Sequence, residues 1–130
     1  MLAIHEYFDY STWRLAPPSP EVAEFVAGVM ESWRAQGGEP DIGLSLLGWL
    51  EELDFEIKSV RTIVDIVTAK DHVWRWPAAF LRSGVGRLVE LGHLTSERGA
   101  EIARAFDAAE ATPHTRMITP GLVEIIATGR

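Results

Sequence analysis

Two adjacent residues near the start of the chain, His5 and Glu6, are its best-placed pair for acid–base chemistry. An imidazole takes a proton from a hydroxyl or amine near neutral pH, and a neighbouring carboxylate can orient the acceptor. His5 is therefore the candidate general base and Glu6 the candidate orienting group. Tyr7, Phe8, Tyr10 and Trp13 follow at once, with Trp33 and Trp49 further along. Together these rings could build an aromatic wall for a flat or apolar small molecule, and ring faces also attract cations. Tyr7, Tyr10, Trp13 and Trp33 are the candidate substrate-binding residues, although the helical spacing of Trp33 and Trp49 suits core positions too. Trp74 and Trp76 read either as an exposed partner patch or as anchors of the helix that follows.

Other chemistry finds no support. Cysteine is absent, which removes disulfides, thiolate nucleophiles and Cys-ligated zinc. His72, His93 and His114 are widely spaced, and His5-Glu6 is not followed by a histidine at zinc-helix spacing, so no metal is expected. No serine sits in a nucleophile elbow. Glu124 lies between apolar neighbours and reads as a pocket carboxylate or, more plainly, as an outward-facing strand position. The 19 acidic against 12 basic residues leave a net charge of −7, and the basic residues are scattered. A phosphate-backbone surface needs the opposite, so no nucleic-acid partner is expected. The densest apolar patch, residues 44–50, is far short of the roughly 20 residues that span a bilayer. Met1-Leu2-Ala3-Ile4 runs into His5-Glu6 without a leader pattern, which predicts a cytoplasmic chain with no membrane contact.

The elements that must position these residues alternate between strand and helix. At 130 residues there is room for one domain. Leu2–His5 is a short apolar strand, followed by the aromatic loop and the breaker Ala16-Pro17-Pro18-Ser19-Pro20. Ser19-Pro20-Glu21 starts a helix that carries Val22, Phe25, Val26, Val29 and Trp33 on one face and stops at Gly37-Gly38. Asp41 is the candidate cap of a second helix. Phe55 to Val67 is β-branched and reads as one long strand, with a phase slip near Lys58-Ser59 from a bulge or from burial on both faces. Trp76-Pro77 opens a third helix closed by Gly92, and Thr95 or Ser96 caps a fourth that runs to about Glu110. Leu122–Thr128 is the last strand. An apolar strand at residue 2 with nothing before it looks like the middle of a larger sheet.

This pattern resembles a known family. Met1-Leu2-Ala3-Ile4-His5-Glu6-Tyr7 looks like the fifth strand of class I S-adenosylmethionine-dependent methyltransferases. Trp49-Leu50-Glu51-Glu52-Leu53-Asp54-Phe55-Glu56-Ile57 resembles their helix, turn and sixth strand, with Asp54 where glycine is usual. Asp tolerates the left-handed backbone of such a turn. Thr115-Arg116-Met117-Ile118-Thr119-Pro120, with Leu122–Thr128, resembles the closing strand, which in the family inserts antiparallel between the fifth and sixth. The Gly-rich cofactor loop after the family's first strand has no counterpart here, nor has the acidic residue that binds the ribose. Gly84-Val85-Gly86 lies inside a helical stripe and is no substitute.

The resemblance implies a partial Rossmann-like α/β three-layer sandwich, with about three strands and about four helices. First and last strands should pair, the long strand should run antiparallel to the last, and residues 77–110 should form a helical insertion. It implies a single partial domain, the C-terminal substrate-side half of a small-molecule methyltransferase. His5 and Glu6 would stand at a strand's C-terminal end, facing the acceptor. S-adenosylmethionine would belong to the full-length parent, and none is expected to bind tightly to this chain alone. The rival expectation is a stand-alone, non-catalytic α/β module that binds a ligand or dimerises. In either case the free edge of the first strand invites a companion chain or a second copy.

Overall fold

Leu2 begins a strand that outruns its apolar start. In the computed structural model, which describes residues 1–130, β1 spans Leu2–Asp9. The chain continues through β2 (Arg14–Ala16), α1 (Pro20–Ala35), α2 (Ser45–Glu52), β3 (Phe55–Ile63) and β4 (Ile66–Val67). It ends with α3 (Arg75–Glu90), α4 (Ser96–Ala111), β5 (Arg116–Ile118) and β6 (Gly121–Gly129). The protein is mixed α/β, with two three-stranded antiparallel sheets.

The first sheet has the order β1-β6-β3, so the chain's last strand lies between its first and its long middle one, antiparallel to both. The expected pairing of first and last strands is present, with Ile4 opposite Ile125 and His5 opposite Glu124. The phase slip is a bulge: the β3–β6 register shifts between Ile57 and Ser59, leaving Lys58 unpaired. Val123, Ile125 and Ala127 on β6 are fully buried and pack with Leu50 of α2, flanked by Leu2, Ile4 and Ile57. A helix layer therefore covers this face. On the opposite face Ala3, His5, Ser59 and Arg61 are exposed. No strand pairs with the outer edge of β1.

The second sheet, ordered β2-β5-β4, was not anticipated. Residues 55–67 do not form one strand. They part at Val64-Asp65, and Thr119 holds the break: its Oγ1 accepts from the Asp65 N–H at 2.9 Å and its N–H donates to the Asp65 carbonyl at 3.0 Å. The Thr12 hydroxyl donates to the Thr119 carbonyl at 2.7 Å. Likewise, residues 115–120 do not join β6 but form β5 in this small sheet. Its inner residues Leu15, Val67 and Met117 join the larger core, where α1, α3 and α4 pack on one another.

The helix boundaries follow local chemistry. Ser19 accepts from the Val22 N–H and Thr95 from the Arg98 N–H, the N-caps of α1 and α4. Gly92, at φ 80°, ends α3. Asp54 adopts φ 65° at the α2–β3 turn. Asp41 does not cap α2: a single 3-10 turn, residues 42–44, intervenes, and the Asp41 carboxylate accepts the Tyr10 N–H at 2.7 Å.

Candidate functional site

Adjacent strand residues point to opposite faces of a sheet, and this separates the two candidate catalytic groups. His5 faces the open side, where its Nε2 lies 2.8 Å from Glu124 Oε2, and the Arg61 guanidinium donates to the same oxygen at 3.2 Å. The His5 contact, followed by that of Arg61, holds the Glu124 carboxyl below the usual glutamate range. Glu6 registers with the buried Val123 on the other face, and its carboxylate accepts the Tyr7 N–H at 2.9 Å. His5 and Glu6 therefore do not meet over one acceptor. Nor do they stand at the strand's end, since β1 continues to Asp9.

Glu6 and Tyr7, on alternate faces of β1, nevertheless both border one cleft, together with Trp33. With Gly38, Glu39, Pro40 and Ile42 they line this cleft of about 240 Å³ beside the C-terminal half of β1. Each wall has a local cause. Gly37, at φ 86°, turns the chain after α1, and Arg34 clasps the Glu39 carboxylate through Nε and Nη2 at 3.2 and 3.1 Å. Asp41 then ties this loop to the backbone of Tyr10. Gly43 makes the close approach possible, since a Cβ there would stand 2.6 Å from the Tyr7 carbonyl oxygen.

The two aromatic rings that line the cleft, Tyr7 and Trp33, are backed by further rings outside it. Tyr7 stacks on Trp76 at 6.2 Å with the rings 10° apart, and meets Tyr10 edge-on at 4.9 Å. Tyr10 in turn meets Trp33 edge-on at 5.2 Å. Burial, reinforced by the Glu6 carboxylate, raises the pKa of the Tyr7 phenol, so it remains a protonated donor at neutral pH. Tyr10, more deeply buried, is pushed further in the same direction by burial and then by Tyr7.

Tyr10 and Trp13 are core residues, 2% and 1% exposed, and line no wall. Trp13 packs edge-on against Phe25 at 5.6 Å. Trp49, assigned to the core by its helical spacing, is 48% exposed on the outside of α2. Trp74 is buried and donates Nε1–H to Glu110 at 2.8 Å, anchoring the start of α3. The sequence reading missed Trp76 as a partner of Tyr7, and Glu39 and Asp41 as loop ties. Only the Gly37-Gly38 break hinted at a loop there.

A carboxylate beside tyrosine and tryptophan faces suits a polar or cationic small molecule with a flat part. No group of three His, Asp or Glu side chains is placed to hold a metal ion. No helix is long and apolar enough to cross a membrane. No protein-family model matches the chain, and no curated protein matches it.

Proposed function

We propose that this chain is the acceptor-side part of a class I methyltransferase fold, whose parent transfers a methyl group from S-adenosylmethionine to a small molecule. The observation that carries the reading is the β1-β6-β3 order, with the last strand reversed between the other two. Long-range strand insertion of this kind is a matter of topology, not of composition, which makes it a more specific sign than short apolar strands. The unpaired outer edge of β1 is where the remaining strands of such a sheet would attach.

The residues present do not fit the cofactor. No strand here runs through a glycine-rich loop into a helix: β1 passes into the 3-10 turn Tyr10–Thr12, and Gly84 and Gly86 lie within α3. No step through the cofactor is therefore assigned to this chain. What its residues supply is the acceptor side. Glu6 accepts a hydrogen bond from an acceptor hydroxyl or amine, while Tyr7 and Trp33 hold its flat part and exclude water. Positioning of this kind contributes much of the rate in a direct displacement. His5, on the opposite face, takes no part.

Calorimetric titration with S-adenosylmethionine tests the first half of the reading: a cooperatively melting sample should show no saturable heat. Stoichiometric binding would overturn the assignment to the acceptor side. A chimera tests the second half. Joined ahead of Met1, the Gly-rich-loop half of a class I methyltransferase should slow amide exchange along β1. Unchanged exchange there, with a stable symmetric dimer of the chain alone by light scattering, would favour the stand-alone module.

A further inference from the structure

A second cleft lies where the loop after β4 meets the turn between α4 and β5. It encloses about 450 Å³ and is lined by Thr68, Lys70, His114, Thr115 and Arg116, with Glu110 as its one acidic residue. The small sheet brings these groups together. β4 pairs with β5 through Ile66 opposite Ile118 and Val67 opposite Met117. Beyond these pairs both segments turn, one closed by the Asp71 N–H on the Thr68 carbonyl at 3.0 Å, and the two turns border the cleft.

The charges in this cleft are unequally engaged. Glu110 is committed, its Oε2 accepting from Trp74 Nε1 at 2.8 Å and its Oε1 from Arg82 at 2.9 Å. Lys70 and Arg116 have no carboxylate within ion-pair distance, as is also true of Arg14, Arg75, Arg104 and Arg130, whereas Arg34, Lys58, Arg61, Arg82, Arg87 and Arg98 each have one. Of these unpaired cations, Lys70 and Arg116 are the two that line this cleft.

The backbone adds an independent observation. Thr112-Pro113-His114-Thr115 is a turn closed by the Thr115 N–H on the Thr112 carbonyl at 3.4 Å, and His114 sits at its third position with φ 67°. Proline second and a positive φ third describe a type II turn, whose third position favours glycine. Histidine is among the residues that tolerate such a φ, and the turn sets it in the wall of the cleft.

We propose that this cleft binds a small molecule through an oxyanion, a phosphate or a carboxylate, held by Lys70, Arg116 and His114. The proposal is independent of the methyltransferase reading, because the cleft shares no residue with the one at β1. Its test follows backbone amide shifts by NMR during titration with sodium pyrophosphate or sodium citrate, against sodium chloride at equal ionic strength. Saturable shifts at Lys70, Thr115 and Arg116 are expected. Tighter binding of pyrophosphate would assign the oxyanion as phosphate, and tighter binding of citrate as carboxylate. Lys70→Ala and Arg116→Ala should each weaken binding roughly tenfold or more, as loss of a charge-assisted hydrogen bond does. His114→Gly should weaken binding without lowering Tm, since glycine suits the turn. Shifts reproduced by chloride, absent with both anions, or undiminished in the Lys70→Ala/Arg116→Ala double variant would overturn it.

Discussion

Two buried tryptophans in this protein differ in the fate of a single proton. Trp74 donates Nε1–H to Glu110, whereas Nε1 of Trp13 is buried with no hydrogen-bond partner. Both lose similar volume on replacement by phenylalanine, so comparing them isolates the N–H. Trp74→Phe removes a charge-assisted bond; Trp13→Phe removes a donor already unsatisfied, which is itself a cost in the folded state. We expect Trp74→Phe to destabilise by about 1–3 kcal/mol more than Trp13→Phe. Urea unfolding with an unchanged m-value measures this, and equal losses would mean that ring packing alone decides both sites. At this scale the sequence was legible in residue type and illegible in direction. Tyr7 and Trp33 do face a cleft, but Tyr10 and Trp13, of the same types and from the same stretch, are core. Which way a ring points depends on what packs on it, not on its own chemistry.

Thr119 shows what one side chain does at the scale of elements. Its N–H and hydroxyl both bond to Asp65 between β3 and β4, and its carbonyl accepts from Thr12 in the 3-10 turn after β1, so one residue just before β6 ties down two other segments. It is 2% exposed, so water cannot replace a lost partner. Thr119→Val keeps the shape and removes only the acceptor for the Asp65 N–H. That leaves a donor unpaired, and a loss of about 1–3 kcal/mol is expected. Thermal and urea melts of the variant measure it; a loss below experimental error would mean that the break at Val64-Asp65 is held by other contacts. The local signals for element ends were readable: Ser19, Thr95, Asp54 and Gly92 each perform the part their chemistry suggests. Asp41 misled because a carboxylate caps a helix only if no nearer donor competes, and the Tyr10 N–H competes from 31 residues away. The run from Phe55 to Val67 misled for a similar reason. β-propensity shows that a segment is extended, not which sheet it joins.

The whole molecule has two unequal cores. One gathers 16 buried residues around α1, α3, α4 and the small sheet, and the other only four between α2 and the larger sheet. Burial of apolar area is the main source of stability, so the two parts should open at different free energies. Amide hydrogen exchange should show β1 and β3 losing protection before α1 and α3. Uniform protection would indicate a single cooperative unit. The part expected to be less protected carries the unpaired edge of β1, whereas Tyr7 and Trp33 of the cleft pack against the larger core. Covering that edge with further strands would raise its protection most, which links its marginal core to the proposed place in a larger sheet.

By itself the sequence determined the alternation of strand and helix, the caps at Ser19 and Thr95 and the phase slip near Lys58-Ser59, while the antiparallel insertion of the last strand was implied only by the family resemblance. The first three depend on periodicity and on residues with restricted backbones, which act over a few positions. Only the tertiary structure decided that His5 and Glu6 face opposite sides, that Trp49 is exposed, that a second sheet forms, and that Lys70 and Arg116 share a cleft. Each of those outcomes rests on contacts between segments far apart in the chain. No local pattern records a partner that distant.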